Sequence, residues 1–223
     1  MCAGKRILRY KNETAEKTCR SVFLFIKRIS DILMGAVGAI ALIPVCAAVK
    51  AAYILEGDRG PVIYRQERIG KDGVPFKMYK FRSMRQDAEE KLQDLLQIEE
   101  YRKEWKKYRK LRNDPRLTKT GSILRKTSID EFPQFINVLR GDMSMVGPRP
   151  LVEGELEECG GHRIYNSVKP GITGWWTCNG RSDVDYQRRL DLEYYYIENM
   201  SVKLDAVCLI KTVSAVVSKT GAR

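Results

Sequence analysis

The hydrophobic and polar positions divide this chain into a basic start, one uncharged apolar run and a longer region of mixed pattern. Residues 32–49 contain no charged side chain, and lysines and arginines flank the run on both sides. A helix of that length covers about 27 Å, close to the thickness of the hydrocarbon core of a bilayer. The pattern predicts a basic segment at 1–26, a membrane helix at 27–55 and a folded domain at 56–223.

Three interpretations of the apolar run stay open: a spanning helix, a helix that enters the membrane and returns, and a buried core helix. Lys27 and Arg28 precede the run and Lys50 follows it, so the positive-inside tendency draws both ends to the cytoplasmic side. Pro44 lies within the run, lacks an N–H and disrupts the helical hydrogen bonds around Ile40. These observations favour a re-entrant helix with a break at Pro44.

The region after the apolar run predicts short strands and several helices. Two β-like runs within residues 61–82 surround Asp72 and Gly73, a dipeptide typical of hairpin turns. Amphipathic spacing predicts a solvated helix or helix pair within 85–112, and helical spacing returns at 128–139, 186–196 and 202–218. Ser128 followed by Glu131 fits a capping box for the helix at 128–139. The helix at 202–218 either lies on a membrane or packs into a core.

The fold class expected from these patterns is α+β. A membrane helix precedes a mainly helical domain that contains a short antiparallel β-hairpin and interfacial amphipathic helices. The net charge of +12 and the isoelectric point of about 9.4 indicate an anionic partner, such as a nucleic acid, a lipid surface or a phosphorylated substrate. The arginines are scattered among the predicted turns and do not form the continuous basic stripe typical of nucleic-acid binding. A nucleic-acid partner is therefore not expected. The six cysteines lack metal-site spacing.

Two adjacent carboxylates, Asp130 and Glu131, are the strongest candidates for chemistry. Acidic residues at a helix start often only complement the helix dipole. Here, however, Arg125 precedes the pair, Arg149 follows it on a proline-stiffened turn, and Arg82 closes the hairpin. An ionised Asp needs no base to attack phosphorus, and Mg²⁺ and guanidinium groups offset its repulsion from phosphate. The natural division is Asp130 as nucleophile and Glu131 as metal ligand.

Several short motifs occur in a fixed order between residue 27 and the C-terminus. They are KRISD (27–31), RQERIG (65–70), YKFRSM (79–84), DEFPQ (130–134), NVLRGDMS (137–144), VGPRP (146–150), KPGITGW (169–175) and NGR (179–181). In this order they resemble the monotopic phosphoglycosyl transferases, also called bacterial sugar transferases, in their small single-domain form. Many small members have a serine before the membrane-break proline, whereas Ile43 precedes Pro44 here.

The resemblance implies an enzyme of bacterial surface glycan assembly, in exopolysaccharide, O-antigen or capsule synthesis. Such an enzyme lies on the cytoplasmic face of the inner membrane and carries a re-entrant helix. It transfers a sugar 1-phosphate from a UDP-sugar to a polyprenol phosphate, namely undecaprenyl phosphate, and releases UMP. The reaction passes through a covalent phosphosugar-aspartyl intermediate and requires Mg²⁺. The resemblance also leaves room for a homodimer, and the sequence does not indicate which sugar is used.

Carried over by motif, Asp130 is the nucleophile and Glu131 is the Mg²⁺ ligand. Arg149 is expected to contact phosphate or nucleotide. The other substrate-binding residues expected from the resemblance are Arg82, Arg125, Asn179, Arg181 and Asp191. Two alternatives remain beside this interpretation: a glycosyl transferase that releases UDP, and a non-catalytic basic membrane-binding module.

Overall fold

One long N-terminal helix lies against a domain of short helices and strands. The computed structural model describes residues 3–108, 111, 114–158, 160, 161, 163–179, 184 and 186–217. The elements are α1 (Ala3–Leu55), β1 (Ile63–Ile69), β2 (Pro75–Phe81), α2 (Ala88–Gln97), α3 (Glu99–Tyr108), α4 (Lys119–Thr127), α5 (Gln134–Arg140), β3 (Ser144–Val146), α6 (Glu155–Glu158), β4 (Gly171–Thr173), α7 (Trp175–Cys178), α8 (Tyr186–Glu198) and α9 (Val202–Val217). The predicted α+β class is confirmed.

The antiparallel hairpin lies where the sequence predicts it. Strands β1 and β2 pair from Ile63 opposite Phe81 to Ile69 opposite Pro75. The turn between them places Asp72 at φ 58° and Gly73 at φ 80°, in the left-handed region that Asp and Gly tolerate better than most residues. The Asp-Gly dipeptide therefore fixes the register that brings the end of β2 to the carboxylate pair.

A second, parallel strand pair was not predicted. Strand β3 pairs with β4, with Ser144 opposite Gly171 and Val146 opposite Thr173. A Cβ atom added to Gly171 would overlap the backbone of Gly147, so the two chain segments approach more closely than larger residues allow. This close approach holds the Gly147–Pro150 turn, which carries Arg149, in one position.

Helix α1 continues without interruption through Pro44. The basic segment and the apolar segment belong to this one helix, and Pro44 lies inside it instead of between two helices. A stripe of buried positions runs along α1 on both sides of the proline: Asp31, Gly35, Gly38, Leu42, Val49 and Tyr53. The spacing of three, four or seven residues is that of one helix face, and this face packs on the domain.

The rest of the helix surface is open. Residues 20–55 are long and apolar enough to cross a membrane. A stretch of 18 residues within them has a mean hydropathy of 2.5, and 22% of that stretch is buried. Val37, Ile40 and Ile43 are each at least 70% exposed. A core helix would hide such side chains from water. The structure therefore disfavours the core-helix interpretation and leaves a helix with a large apolar face for lipid.

Three hydrophobic clusters hold the domain together. One joins β3, α8 and α9 around Val146, Leu190, Tyr196 and Cys208. A second joins the end of α1 to β2 and α4, and a third lies around Met78 between β2 and α5. Helix α9 contributes its Cys208 side to the first cluster, whereas Ile210 and Val213 on the other side are exposed. One apolar side of α9 thus packs into the core, and another is exposed for contact with a membrane, which are the two roles predicted for this helix.

Candidate functional site

A sharp turn delivers the two carboxylates. Helix α4 ends at Ser128, which has φ 57° and donates its backbone N–H to the carbonyl of Arg125 at 3.2 Å. The 3-10 turn Ile129–Glu131 follows, and α5 begins only after Pro133. The predicted continuous helix at 128–139 and its capping box are therefore wrong. Ser128 in the left-handed conformation closes the preceding helix, and its side chain makes no capping hydrogen bond.

Four charged side chains form what we call the dyad cluster: Asp130, Glu131, Lys80 and Arg125. Lys80 Nζ lies 3.0 Å from Glu131 Oε1, and Arg125 Nε donates to Ser83 Oγ at 2.9 Å. Burial and the neighbouring Glu131 carboxylate raise the pKa of Asp130 to about 6, against the opposing effect of Lys80 and Arg125. With a pKa near 6, most Asp130 carboxylates are ionised at neutral pH.

The predicted substrate contact Arg82 is a buried clamp. Its side chain donates from Nε to Pro61 O at 2.8 Å, from Nη1 to Met84 O at 3.2 Å and from Nη2 to Asp58 Oδ2 at 2.8 Å. Its guanidinium also lies over the ring of Tyr53, with 5.0 Å from Cζ to the ring centroid. This geometry ties the loop after α1 to the end of β2, and a substrate contact by Arg82 stays a prediction.

A second group of charges surrounds Arg149. We call it the arginine–tryptophan cluster; it consists of Arg68, Arg149, Glu155, Trp176, Arg189 and Glu193. The Cζ atoms of Arg149 and Arg189 lie 5.8 Å and 5.5 Å from the Trp176 ring centroid. Glu155 lies 3.0 Å from Arg189 and 3.9 Å from Arg68. The backbone N–H of Arg149 donates to Glu193 Oε1 at 3.1 Å.

The arginine–tryptophan cluster contains unpartnered buried atoms. Within the described part of the chain, every buried side-chain nitrogen or oxygen without a hydrogen-bond partner belongs to it: Arg68 Nε, Arg149 Nε, Trp176 Nε1, Arg189 Nε and Glu193 Oε2. Four of these five atoms are donors. Because unpartnered buried polar atoms are uncommon in folded proteins, their concentration in one place indicates a site built for a ligand with acceptor atoms.

The pKa values of the two carboxyl groups in this cluster are shifted in opposite directions. Burial raises the pKa of Glu193 to about 8, although the Arg149 N–H and the guanidinium groups of Arg189 and Arg149 lower it. Burial also acts to raise the pKa of Glu155, but the Val152 N–H, Arg149 and Arg189 outweigh it and lower the pKa. Glu155 is therefore ionised at neutral pH, whereas Glu193 retains its proton.

Two of the three remaining predicted site residues, Asn179 and Asp191, lie at the end of α7 and on α8. Asn179 donates from Nδ2 to Trp175 O at 2.8 Å and accepts from Lys211 Nζ at 3.0 Å, which joins α7 to α9. Asp191 lies on the exposed side of α8. Arg181 lies outside the described residues. The substrate roles expected for these three residues stay predictions.

Sequence reasoning missed several residues of the two clusters. Lys80 lies in a motif that the resemblance uses, but its pairing with Glu131 depends on the hairpin register. Arg189 and Glu193 are four residues apart on α8, a spacing that places both on one helix face. That spacing was the available signal for them. Arg68 lies in the RQERIG motif, but neither that motif nor any local pattern shows that distant segments bring Arg68, Glu155 and Trp176 together.

Comparison with known proteins decides the family. The family model for bacterial sugar transferases matches residues 22–219. The chain belongs to the bacterial sugar transferase family. This confirms the resemblance that the motifs carry.

Several curated relatives of this sugar transferase resemble it closely. It is 43% identical to the UDP-galactose-lipid carrier transferase of Erwinia amylovora over 218 residues, which are 97% of this chain and 44% of that protein. It is 34% identical to the UDP-glucose:undecaprenyl-phosphate glucose-1-phosphate transferase of Escherichia coli over 256 residues, covering 96% of this chain and 52% of that protein. The exopolysaccharide production protein ExoY of Rhizobium meliloti is 41% identical over 197 residues, which are 87% of each chain. The chain therefore spans about half the length of the first two relatives.

The donor atoms of the dyad cluster fit a magnesium ion. Mg²⁺ prefers oxygen ligands, keeps several waters and is commonly held by one or two carboxylates together with substrate phosphates. Asp130 and Glu131 provide two adjacent carboxylates on one turn. Among the described residues, no group of three or more His, Cys, Asp or Glu side chains can hold a metal ion. Two carboxylates are the number of protein ligands that such a Mg²⁺ site commonly has.

Proposed function

We propose that this sugar transferase moves a sugar 1-phosphate from a UDP-sugar to undecaprenyl phosphate and releases UMP. The reaction is the first membrane step of bacterial surface glycan assembly. The observation that carries the proposal is a half-buried Asp130 between one carboxylate and two cations, close to the end of a long apolar helix. The names of the relatives support the substrate class, because one is a UDP-galactose-lipid carrier transferase and another is a UDP-glucose:undecaprenyl-phosphate glucose-1-phosphate transferase.

The dyad cluster is suited to a two-step exchange at phosphorus. In the first step a carboxylate oxygen of Asp130 bonds to the sugar-bearing phosphorus, and the bond from that phosphorus to UMP breaks with its electron pair leaving on UMP. In the second step an oxygen of undecaprenyl phosphate bonds to the same phosphorus and the Asp130 carboxylate leaves. Arg125 and Lys80 face the carboxylates and reduce the repulsion between anions in both steps.

Magnesium supplies positive charge to the phosphates when it is bound. Glu131 is the proposed ligand, with Asp130 next to it on the same turn. Lys80 neutralises Glu131 in the structure at 3.0 Å and keeps the carboxylate oriented toward the cluster. The described residues thus orient the Glu131 carboxylate, and a bound Mg²⁺ would add positive charge beside it.

The arginine–tryptophan cluster is the proposed location of the nucleotide part of the donor. Its buried arginines carry more positive charge than Glu155 neutralises. The Trp176 ring adds a flat apolar surface beside Arg149. Guanidinium groups bind phosphate oxygens in pairs, so a nucleoside diphosphate matches this combination of charge and surface. Asn179, Arg181 and Asp191 remain proposed contacts of the donor.

The membrane part of the proposal rests on α1. Its apolar face suits the acyl chains, whereas Lys27 and Arg28 bind the domain: Lys27 Nζ lies 2.6 Å from Asp205 Oδ2, and Arg28 donates to Val138 O and Leu139 O. We place α1 in one leaflet of the inner membrane as a re-entrant helix that bends at Pro44 without ending there, with the catalytic domain on the cytoplasmic side. The exposed Ile210 and Val213 side of α9 provides a second apolar contact with the bilayer surface.

The proposal is tested by intact-protein mass measurement after mixing the protein with Mg²⁺ and UDP-galactose, UDP-glucose or UDP-N-acetylgalactosamine, without lipid. A mass gain of one phosphosugar with release of UMP, absent in Asp130→Asn, is the expected result and also identifies the sugar. UMP release that begins only when undecaprenyl phosphate is added would contradict the covalent intermediate. Release of UDP would support the glycosyl transferase alternative, and salt-sensitive liposome binding without any turnover would support the binding-module alternative.

A further inference from the structure

Glu193 is a buried acid that the proposed chemistry does not use. It lies on α8 with 1% of its surface exposed. Its Oε1 accepts the backbone N–H of Arg149 at 3.1 Å, whereas its Oε2 is buried and has no hydrogen-bond partner among the described residues. A Cβ added to Gly174 would lie 3.6 Å from Oε2, so this oxygen faces the backbone at the start of α7.

The charged and titratable groups around Glu193 come from four elements. Arg149 lies on the turn after β3, Arg189 on α8 itself, Cys178 on α7 and Tyr165 on the 3-10 turn Arg163–Ser167. Arg189 is engaged by Glu155 at 3.0 Å. Across the described residues, neither arginine lies within ion-pair distance of Glu193. A carboxylate beside two guanidinium groups would be expected to pair with one of them.

We propose that Glu193 is a positioning residue that acts in its neutral form. The neutral carboxyl group fixes the Arg149 backbone by accepting its N–H, and it leaves the Arg149 guanidinium available for the phosphates of the donor. This inference rests on the proposed function, because it assigns the guanidinium to a nucleoside diphosphate. It goes further by assigning a role to a residue that contacts no substrate.

The proposed role requires the neutral form of Glu193, because an ionised Glu193 carboxylate would pair with the nearby Arg149 guanidinium. Burial raises the pKa of Glu193 to about 8, so the group is mostly neutral at pH 7. Once ionised, Oε2 is a strong acceptor for the Arg149 guanidinium, whose Nε has no partner in the described structure. An ion pair between them would compete with the donor. Donor affinity should therefore fall as pH rises through the pKa of Glu193.

The direct test is the dissociation constant of UDP at pH 7 and pH 9, measured by calorimetry on the full chain in detergent micelles. The wild type should lose affinity up to about tenfold, because a group with a pKa near 8 is about nine-tenths ionised at pH 9. Glu193→Gln keeps the acceptor oxygen and cannot ionise, so its affinity should match the wild type at pH 7. Any titration of UDP itself affects both proteins equally.

Two further variants separate positioning from simple structural support. Glu193→Leu keeps the approximate volume but removes the acceptor, and it should weaken UDP binding at both pH values. Glu198→Gln changes an exposed glutamate of the same helix and should behave as the wild type does. A Glu193→Gln protein with the same pH dependence as the wild type would overturn the inference, as would full UDP affinity in Glu193→Leu.

A second measurement does not depend on any ligand. The folded protein keeps a proton on Glu193 that the unfolded chain releases above its ordinary pKa of 4.5. The stability that this carboxyl contributes is therefore full below about pH 4.5 and is lost progressively as pH rises to about 8. The melting temperature of Glu193→Gln should rise relative to the wild type across this window. A constant difference would show that Glu193 is ionised when folded and would overturn the inference.

The two measurements also distinguish failure of the inference from failure of the proposed function. A wild type that does not bind UDP would overturn the proposed function and the ligand part of this inference. The melting profiles would still decide whether Glu193 is neutral in the folded protein. A wild type that binds UDP without the expected pH dependence would overturn the inference alone.

Discussion

The dyad cluster and the arginine–tryptophan cluster both concentrate charge, but they differ in how far their polar atoms are satisfied. In the dyad cluster Lys80 pairs with Glu131 at 3.0 Å and Arg125 is held by Ser83. In the arginine–tryptophan cluster Arg68 and Arg189 share Glu155, and five buried atoms have no partner within the described residues. Paired charges fix a reacting group, whereas unpaired buried donors are suited to receive a ligand. The comparison assigns the attack on phosphorus to the dyad cluster and the binding of the donor's nucleotide part to the arginine–tryptophan cluster.

The largest effect should follow loss of the nucleophile. Asp130→Asn removes the charge that attacks phosphorus, and turnover should fall by at least about 10³-fold. The dissociation constant of UDP should stay within about twofold of the wild type, because donor binding belongs to the other region. Asp94→Asn, at an exposed position of α2, is the matched control. Substantial turnover in the Asp130 variant would contradict its assignment as nucleophile.

The second effect concerns binding. Arg149→Gln removes a guanidinium from the arginine–tryptophan cluster and should raise KM for the UDP-sugar by about 10- to 100-fold, since hydrogen bonds to charged groups contribute about 1.5–3 kcal/mol. The change in kcat should be smaller. Steady-state kinetics check this, with Arg163→Gln at an exposed position as the control. If kcat fell while KM stayed constant, the division between the two regions would be wrong.

A smaller effect is expected at the partner of Glu131. Lys80→Met removes the cation 3.0 Å from Glu131 Oε1 and should lower kcat by about tenfold, because the pair is only partly buried and solvent screens it. Lys77→Met, at an exposed position of the same strand, should leave kcat unchanged. An unchanged kcat in Lys80→Met would remove Lys80 from the dyad cluster.

The smallest effect should be one of stability. Arg28 donates from Nη1 to Val138 O at 2.7 Å and from Nη2 to Leu139 O at 2.9 Å, at the end of α5. Arg28→Met leaves these carbonyls without their donor and should lower the free energy of unfolding by about 1–3 kcal/mol. UDP affinity should not change. Thermal denaturation beside the exposed-site control Arg20→Met checks the prediction, and equal melting temperatures would refute it.

The sequence predicted those parts of the fold that local patterns determine. The Asp72-Gly73 turn specifies its hairpin, because few dipeptides accept two left-handed residues in succession. The carboxylate pair was found because Asp130 and Glu131 are adjacent in the chain. The parallel strands were missed because segments of three residues carry no readable alternation, and their pairing joins residues 27 positions apart, such as Ser144 and Gly171.

The error at Ser128 has the same origin. Ser128 fits a capping pattern, but the requirement to end α4 places it in the left-handed region and gives it the opposite role. Asp191 lies on the exposed side of α8, where its substrate role stays a prediction, whereas Glu193 two positions later is buried and accepts the Arg149 N–H. Which side of α8 faces inward depends on α7 and the Arg149 turn. The pattern within α8 alone does not contain that information.

The buried stripe along α1 has a consequence for the lipid environment. Gly38 allows the Phe135 ring of α5 to contact the backbone of α1, and Arg28 holds the other end of α5. Helix α5 therefore cannot slide along α1 by a turn without losing both contacts. When the surrounding leaflet becomes thicker or thinner, a membrane helix shifts or tilts to match it. With α1 in the membrane as proposed, the height of Asp130 above the lipid phosphates would change with α1, and leaflet thickness would become a variable in the encounter with the proposed acceptor.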